Sequence, residues 1–234
     1  MTSWPSAGAS GVSKLFEALE IVPGLTAVVG SGGKTSLIAA LARELPGTVI
    51  VATSTHIFPA AGLPLVTERV AKLPAPKICM GTPTGEGKLT APMQPWAELI
   101  ALADYVLVEA DGSKRLPLKA HLPHEPVIPA EANQVIAVLG LSGLGQPVQE
   151  AAHRPEVYAR LAGCTVEDVV TPARAAAVLQ AEGGFTRLVL NQAEGREGAG
   201  REIAARLCCP VLLASLQEGW WRTCPRADTL PDFS

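Results

Sequence analysis

This chain lacks any marked excess of one charge. Its 19 basic and 22 acidic residues leave a formal net charge of −3 and a pI near 5.8. Neither a long basic block nor an acidic tail is present, so no electrostatic basis exists for nucleic acid or an anionic membrane as partner. Apolar runs stay short of the roughly 18 residues that would suggest a membrane span. The cysteines, at positions 79, 164, 208, 209 and 224, form no C-x-x-C pair. That pattern argues against a disulfide framework and predicts reduced thiols. Cys208 and Cys209 precede Pro210 and a Val-Leu-Leu run, and read as core positions at a helix end or strand start. No secretion signal or Arg-rich amphipathic leader is visible, and Met1 to Gly11, rich in Ser, Ala and Gly, reads as a frayed tail. A soluble, cytoplasmic protein is expected.

What is present is apolar. Hydrophobic residues make up 48% of 234 positions, enough for a sizeable core. Short β-branched runs alternate with alanine- and leucine-rich segments, the signature of parallel strands joined by helices. Strands are expected at Leu25–Val29, Thr48–Ser54, Tyr105–Val108, Gln134–Leu139, Arg187–Leu190 and Val211–Leu213. Helices are expected at Ser13–Glu20, Lys34–Leu45, Trp96–Ala103, Pro155–Leu161, Pro172–Glu182 and near Gly200–Leu207. Thr171 should cap the fifth of these, with Pro172 at its first position. Residues 59–95 are rich in proline and glycine. There the strand candidates Lys77–Met80 and Lys88–Thr90, with the turn Thr82–Gly87 between them, predict a hairpin at a sheet edge. Gly140–Gly145 reads as a mobile loop. The fold expected is a three-layer α/β/α P-loop domain with a mostly parallel sheet and a small β-hairpin insertion. It would be a single domain over 1–234, with a small helical subregion at 140–183.

Three groups of residues could carry chemistry. The first is Gly30-Ser31-Gly32-Gly33-Lys34-Thr35-Ser36, between an apolar strand and a helix. Phosphate requires close approach of backbone N–H groups, which bulky side chains block, and gains from the positive end of the following helix. Lys34 would reach the β- and γ-phosphates, and the Thr35 hydroxyl would sit on Mg²⁺. A full Walker A sequence has a glycine six residues before the lysine, where this chain has Val28. What remains is the shorter G-x-x-G-K-T form.

The second group is the strand end Glu109-Ala110-Asp111-Gly112. P-loop proteins hold Mg²⁺ and its waters with carboxylates at such a position, at the ligand edge of an open α/β sheet. Gly112 should break the strand, leaving Glu109 rigid and Asp111 on a movable loop. The nearby cations Lys114, Arg115 and Lys119 could add phosphate contacts, though three cations on a loop read more readily as solvated. His121, His124 and Glu125 follow in a proline-rich loop, with spacing unlike a zinc site. The third group is Asn191-Gln192-Ala193-Glu194. Its Asn and carboxylate have the spacing with which guanine-specific proteins read the base, although Gln192 replaces the lysine and Glu194 is one methylene longer than Asp. Thr53-Ser54-Thr55-His56 could line the phosphate site or serve as a polar strand exit.

Taken in order, GSGGKTS (30–36), VATSTHIF (51–58), VEADGSKRLPLKAHLPHEPVIP (108–129), HRPE (153–156) and LNQAEG (190–195) resemble the YqeC family. Its members are accessory proteins for selenium-dependent molybdenum hydroxylases. The resemblance implies a P-loop nucleotide-binding protein that helps mature such a hydroxylase or its cofactor. It maps the phosphate loop onto Gly30–Ser36, the acidic strand end onto Glu109 and Asp111, and the late turn onto Asn191 and Gln192. The expected function is a Mg²⁺-dependent NTPase using a purine triphosphate, ATP or GTP. Lys34 and Asp111 would be catalytic, while Thr35, Glu109 and Asp111 would serve the metal. Two other readings stay open. One is a nucleotidyl- or phosphotransferase on a cofactor precursor. The other is a non-enzymatic carrier that grips the phosphates of a molybdopterin dinucleotide.

Overall fold

The computed structural model describes residues 13–225; the tail Met1–Gly11 lies outside them. A single helical turn, α1 (Leu15–Ala18), leads into the apolar strand β1 (Gly24–Gly30). The glycine turn then opens α2 (Lys34–Glu44), which ends before Pro46-Gly47 and β2 (Val49–Thr53). Next come β3 (Leu65–Val66), β4 (Lys77–Met80), β5 (Thr82–Pro83) and β6 (Leu89–Thr90). Helix α3 (Trp96–Leu102) feeds β7 (Tyr105–Glu109), followed by β8 (Leu118–Lys119) and the long β9 (Ala132–Gly140). Beyond it lie α4 (Val148–Ala151), β10 (Ala152–His153), α5 (Pro155–Ala162) and α6 (Pro172–Glu182). The chain closes with β11 (Arg187–Asn191), α7 (Glu197–Ala204), β12 (Val211–Ser215) and β13 (Trp220–Thr223).

Among the described residues one nine-stranded sheet forms, in the order β13-β12-β11-β9-β1-β7-β2-β4-β3. Every pairing in it is parallel except that of β12 with β13. Strand alternation separates its two faces. Leu25, Ala27 and Val29 of β1 face the core shared with α3 to α7, while Val28, with Ile136 and Val138 of β9, faces α1 and α2. The result is the expected three-layer α/β/α arrangement. From β1 the chain moves one way to β2, β4 and β3, then returns through β7 to β9, β11 and β12 on the other side. In open α/β sheets, the crevice beyond the strand ends at such a switch point is where ligands bind.

Several local expectations need correction. β4 belongs to the main sheet, so the hairpin pairs β5 with β6, and its first arm is Thr82–Pro83 instead of Lys77–Met80. Gly140–Gly145 is an ordered turn and not a mobile loop. Leu141–Gly143 forms one 3-10 turn with Leu141 and Gly143 buried, because a Cβ on Gly143 would meet the Leu118 side chain at 2.6 Å. Cys208 is exposed, outside the core expected for it, while Cys209, half-buried in the connection to β12, packs against the core. Thr171 does cap α6, its side chain accepting from the Arg174 N–H.

Candidate functional site

The glycine turn is tight because it lies against the end of β9. A Cβ on Gly30 would stand 2.3 Å from the Val138 carbonyl, and one on Gly32 would stand 2.3 Å from the Gly140 nitrogen. Both also have positive φ, +91° and +78°, which disfavours any side chain. Gly33 then starts α2 without a side-chain cap, so the first-turn N–H groups are free to face an anion. Ser31 is buried and donates to the Pro117 carbonyl at 2.9 Å.

Neighbouring strands bring the acidic residues to this turn. β7 pairs with β1 in a register that sets Glu109 beside Val28 and Thr53 of β2 beside Glu109. The Thr53 hydroxyl donates to the Glu109 backbone carbonyl at 2.9 Å, fixing the strand end from the other side. The Thr35 hydroxyl donates to Glu109 Oε2 at 3.0 Å. Lys34 Nζ lies 2.5 Å from the Gly30 carbonyl, 2.9 Å from Asp111 Oδ1 and 3.7 Å from Glu109 Oε1. Burial pushes the Glu109 carboxyl upward despite Lys34 and Thr35 beside it.

Asp111 departs from expectation. It is 1% exposed and held on all sides, not carried on a movable loop. Its Oδ2 accepts from the Gly30 N–H at 2.8 Å, meets His121 Nε2 at 2.5 Å and lies 3.3 Å from Lys119 Nζ. Burial alone would raise its pKa, but the His121 hydrogen bond and the charges of Lys34 and Lys119 overcome that and hold it at about 2. Burial would likewise lower the pKa of His121, yet its contacts with Asp111 and Glu182 push it up to about 9. Lys119, expected to be solvated, is buried, and it also bonds the Gly112 carbonyl at 2.7 Å.

Lys119, His121 and Glu182 were not expected in this cluster. A signal for the first two was available, since residues two apart in an extended segment share a face, and Lys119 ends β8. Glu182 closes α6, and nothing local in the sequence ties it to residue 121.

Asn191 ends β11 two strands from β1. Its Nδ2 donates to the Gly32 carbonyl at 2.8 Å and its Oδ1 accepts from the Leu216 N–H at 3.1 Å. The Glu194 carboxylate accepts from the Ser215 hydroxyl. Asn191 and Glu194 line a cavity of about 330 Å³ with Gln192 and residues 216–218. A second cavity of about 230 Å³ lies over Gly32–Ser36, with Glu109, Ser113, Arg115 and Gln192 on its walls. Gly33, Ser36 and Gln192 border both. Lys114 and His124 are exposed and stand outside these groups.

For Mg²⁺ the residues present fit a shared site better than a dedicated cage. Among the described residues no group of three or more His, Cys, Asp or Glu could hold a metal. Nucleotide-bound Mg²⁺ usually needs only one or two protein oxygens beside phosphates and waters. The Thr35 hydroxyl and Glu109 carboxylate, in contact and bordering the cavity over Gly32–Ser36, could supply such a pair.

The fold and the turn define a three-layer α/β protein with a glycine-rich strand–turn–helix at its sheet switch point. A family model described as YqeC protein matches residues 26–156, and the chain belongs to that family. A relative from Escherichia coli (strain K12), described as "Uncharacterized protein YqeC", is 36% identical over 159 residues, 61% of this chain and 62% of the relative. The aligned stretch thus spans less than two thirds of that relative's length. No solved structure matches the chain. Among the described residues, no helix is long and apolar enough to cross a membrane.

Proposed function

We propose that this protein binds a purine nucleoside triphosphate with Mg²⁺ at Gly30–Ser36 and hydrolyses it. The observation carrying this reading is the convergence of Lys34 and Thr35, from the helix after a glycine turn, on Glu109 and Asp111 of the adjacent strand end. In this reading the α2 N-terminus and the turn's N–H groups cradle the phosphates. Lys34 swings from its carboxylate partners onto them, and Asp111, accepting from the Gly30 N–H, holds the turn in place. Thr35 and Glu109 would hold Mg²⁺, which when bound neutralises charge on the β- and γ-oxygens. The base would lie over the adjoining cavity, where the Glu194 carboxylate at its edge is the basis for favouring guanine while Asn191 borders the cavity and holds the turn.

The physiological role consistent with the family resemblance is an accessory factor in maturing a selenium-dependent molybdenum hydroxylase. One observation favours a transferase as the second reading. An apolar cavity of about 310 Å³ along α2, walled by Ile38, Val51 and Phe58, also reaches Thr35 and Glu109 and could take an acceptor. Calorimetric titration with ATP, GTP and CTP, with and without Mg²⁺, followed by phosphate-release assays, tests the proposal. Mg²⁺-dependent binding followed by phosphate release without an added acceptor is the expected result. No saturable triphosphate binding under any of these conditions would remove the reading.

A further inference from the structure

A further cavity, of about 370 Å³, lies on the sheet face opposite α2, beneath α5 and α6. Val135, Ala137 and Leu139 alternate along β9 and form its floor, while Val157 and Leu161 of α5 and Leu179 of α6 form its roof. One end is the backbone of Gly30 and Ser31, the back of the glycine turn. Native interiors are close-packed, with few voids larger than a water molecule. A recess of this volume falls within the range of small-molecule pockets, roughly 300–1,000 Å³. Mostly apolar walls with a few polar groups are also typical of such pockets.

The charged groups around the cavity differ in their commitments. Lys119 lies 3.6 Å from Glu125, and His121 Nδ1 lies 3.0 Å from Glu182, so these four offset one another. Arg160 is different: it is exposed at the rim and makes no ion pair among the described residues. A ligand filling the recess would therefore place an apolar body between β9 and the helices and an anionic group at Arg160. We propose that this cavity binds a second ligand, a small organic anion with a compact ring body, seated against the back of the glycine turn. The site goes beyond the nucleotide reading and does not rest on it.

The test uses the full chain, methyl-labelled for NMR, titrated with 1-naphthoate in the absence of nucleotide, so failure of the nucleotide reading leaves it intact. Saturable shifts are expected at the methyls of Val135, Ala137, Leu161 and Leu179. Arg160→Glu should weaken binding about tenfold or more, as loss of a charge-assisted contact predicts, with an unchanged melting temperature. The uncharged analogue 1-naphthalenemethanol should bind the wild type about tenfold more weakly than 1-naphthoate. Three results would overturn the proposal: no saturable shift at millimolar naphthoate, shifts confined to Ile38, Val51 and Ile57 beside α2, or equal affinity in Arg160→Glu.

Discussion

Asn191 donates its side-chain amide to the Gly32 carbonyl at 2.8 Å, so a strand near the end of the chain shapes a turn near its beginning. The other end of the same amide accepts from the Leu216 N–H at 3.1 Å. With both ends engaged, Asn191 is suited to holding the turn while bordering the cavity proposed for the base. Asn191→Ala should therefore weaken ATP and GTP binding alike, by about tenfold, the worth of one lost buried hydrogen bond with its partner left unpaired. Competition titrations measure this, and a loss confined to GTP would make Asn191 a base reader instead.

Lys34→Ala should remove most triphosphate affinity, since charge-assisted contacts to phosphate are worth about 1.5–3 kcal/mol each. The fold should survive, because Lys119 and His121 remain beside Asp111. Calorimetry showing equal affinity in variant and wild type would exclude Lys34 from the phosphate site.

The two carboxylates should behave differently. Glu109→Gln should abolish the Mg²⁺ dependence of nucleotide binding with little loss of stability, since its neighbours are the Thr35 hydroxyl and a single lysine at 3.7 Å. Asp111→Asn should lower stability by about 3–5 kcal/mol, the usual cost of breaking a buried charge pair from one side. Urea denaturation separates the two effects. A stable Asp111→Asn protein with slowed turnover would return Asp111 to a purely catalytic role.

His121 sets a pH dependence of stability. Its folded pKa is raised to about 9, so its contribution is complete below the ordinary value of 6.5 and lost as pH rises through 9. The opposite holds for Asp111, whose contribution is present above 3.8 and lost as pH falls toward 2. The stability gap between wild type and His121→Asn should thus shrink by about 2–3 kcal/mol from pH 6.5 to 9.5. A gap constant over that window would mean that His121 is neutral in the folded protein.

The core strands and main helices were legible in the sequence because each is a local signal. β1, α2, β7 and α6 follow from apolar runs, a Pro-Gly stop and a Thr-Pro cap, and they stand within a residue or two of expectation. The glycine turn and Glu109 were legible for the same reason, since their chemistry lies in short contiguous motifs. The cluster around Asp111 was not, because its partners at 119, 121 and 182 meet only once the sheet closes and α6 packs on it. Lys119 in particular looks like a surface cation until burial and its carboxylate neighbours are seen together. The edge strands β3, two residues long, and β13, four residues long, are too short to show an alternating pattern.

The bond from Asn191 to Gly32 also bears on how the protein is made. The glycine turn and both carboxylates leave the ribosome well before β11, since domains are synthesised from the N-terminus onward. Until β11 pairs with β9, the turn lacks its clamp and β9 presents an unpaired edge. A chain interrupted after residue 156, where the family match ends, would still carry Lys34, Thr35, Glu109 and Asp111. It would hold them in a turn that is never locked, beside a strand open to association with other chains.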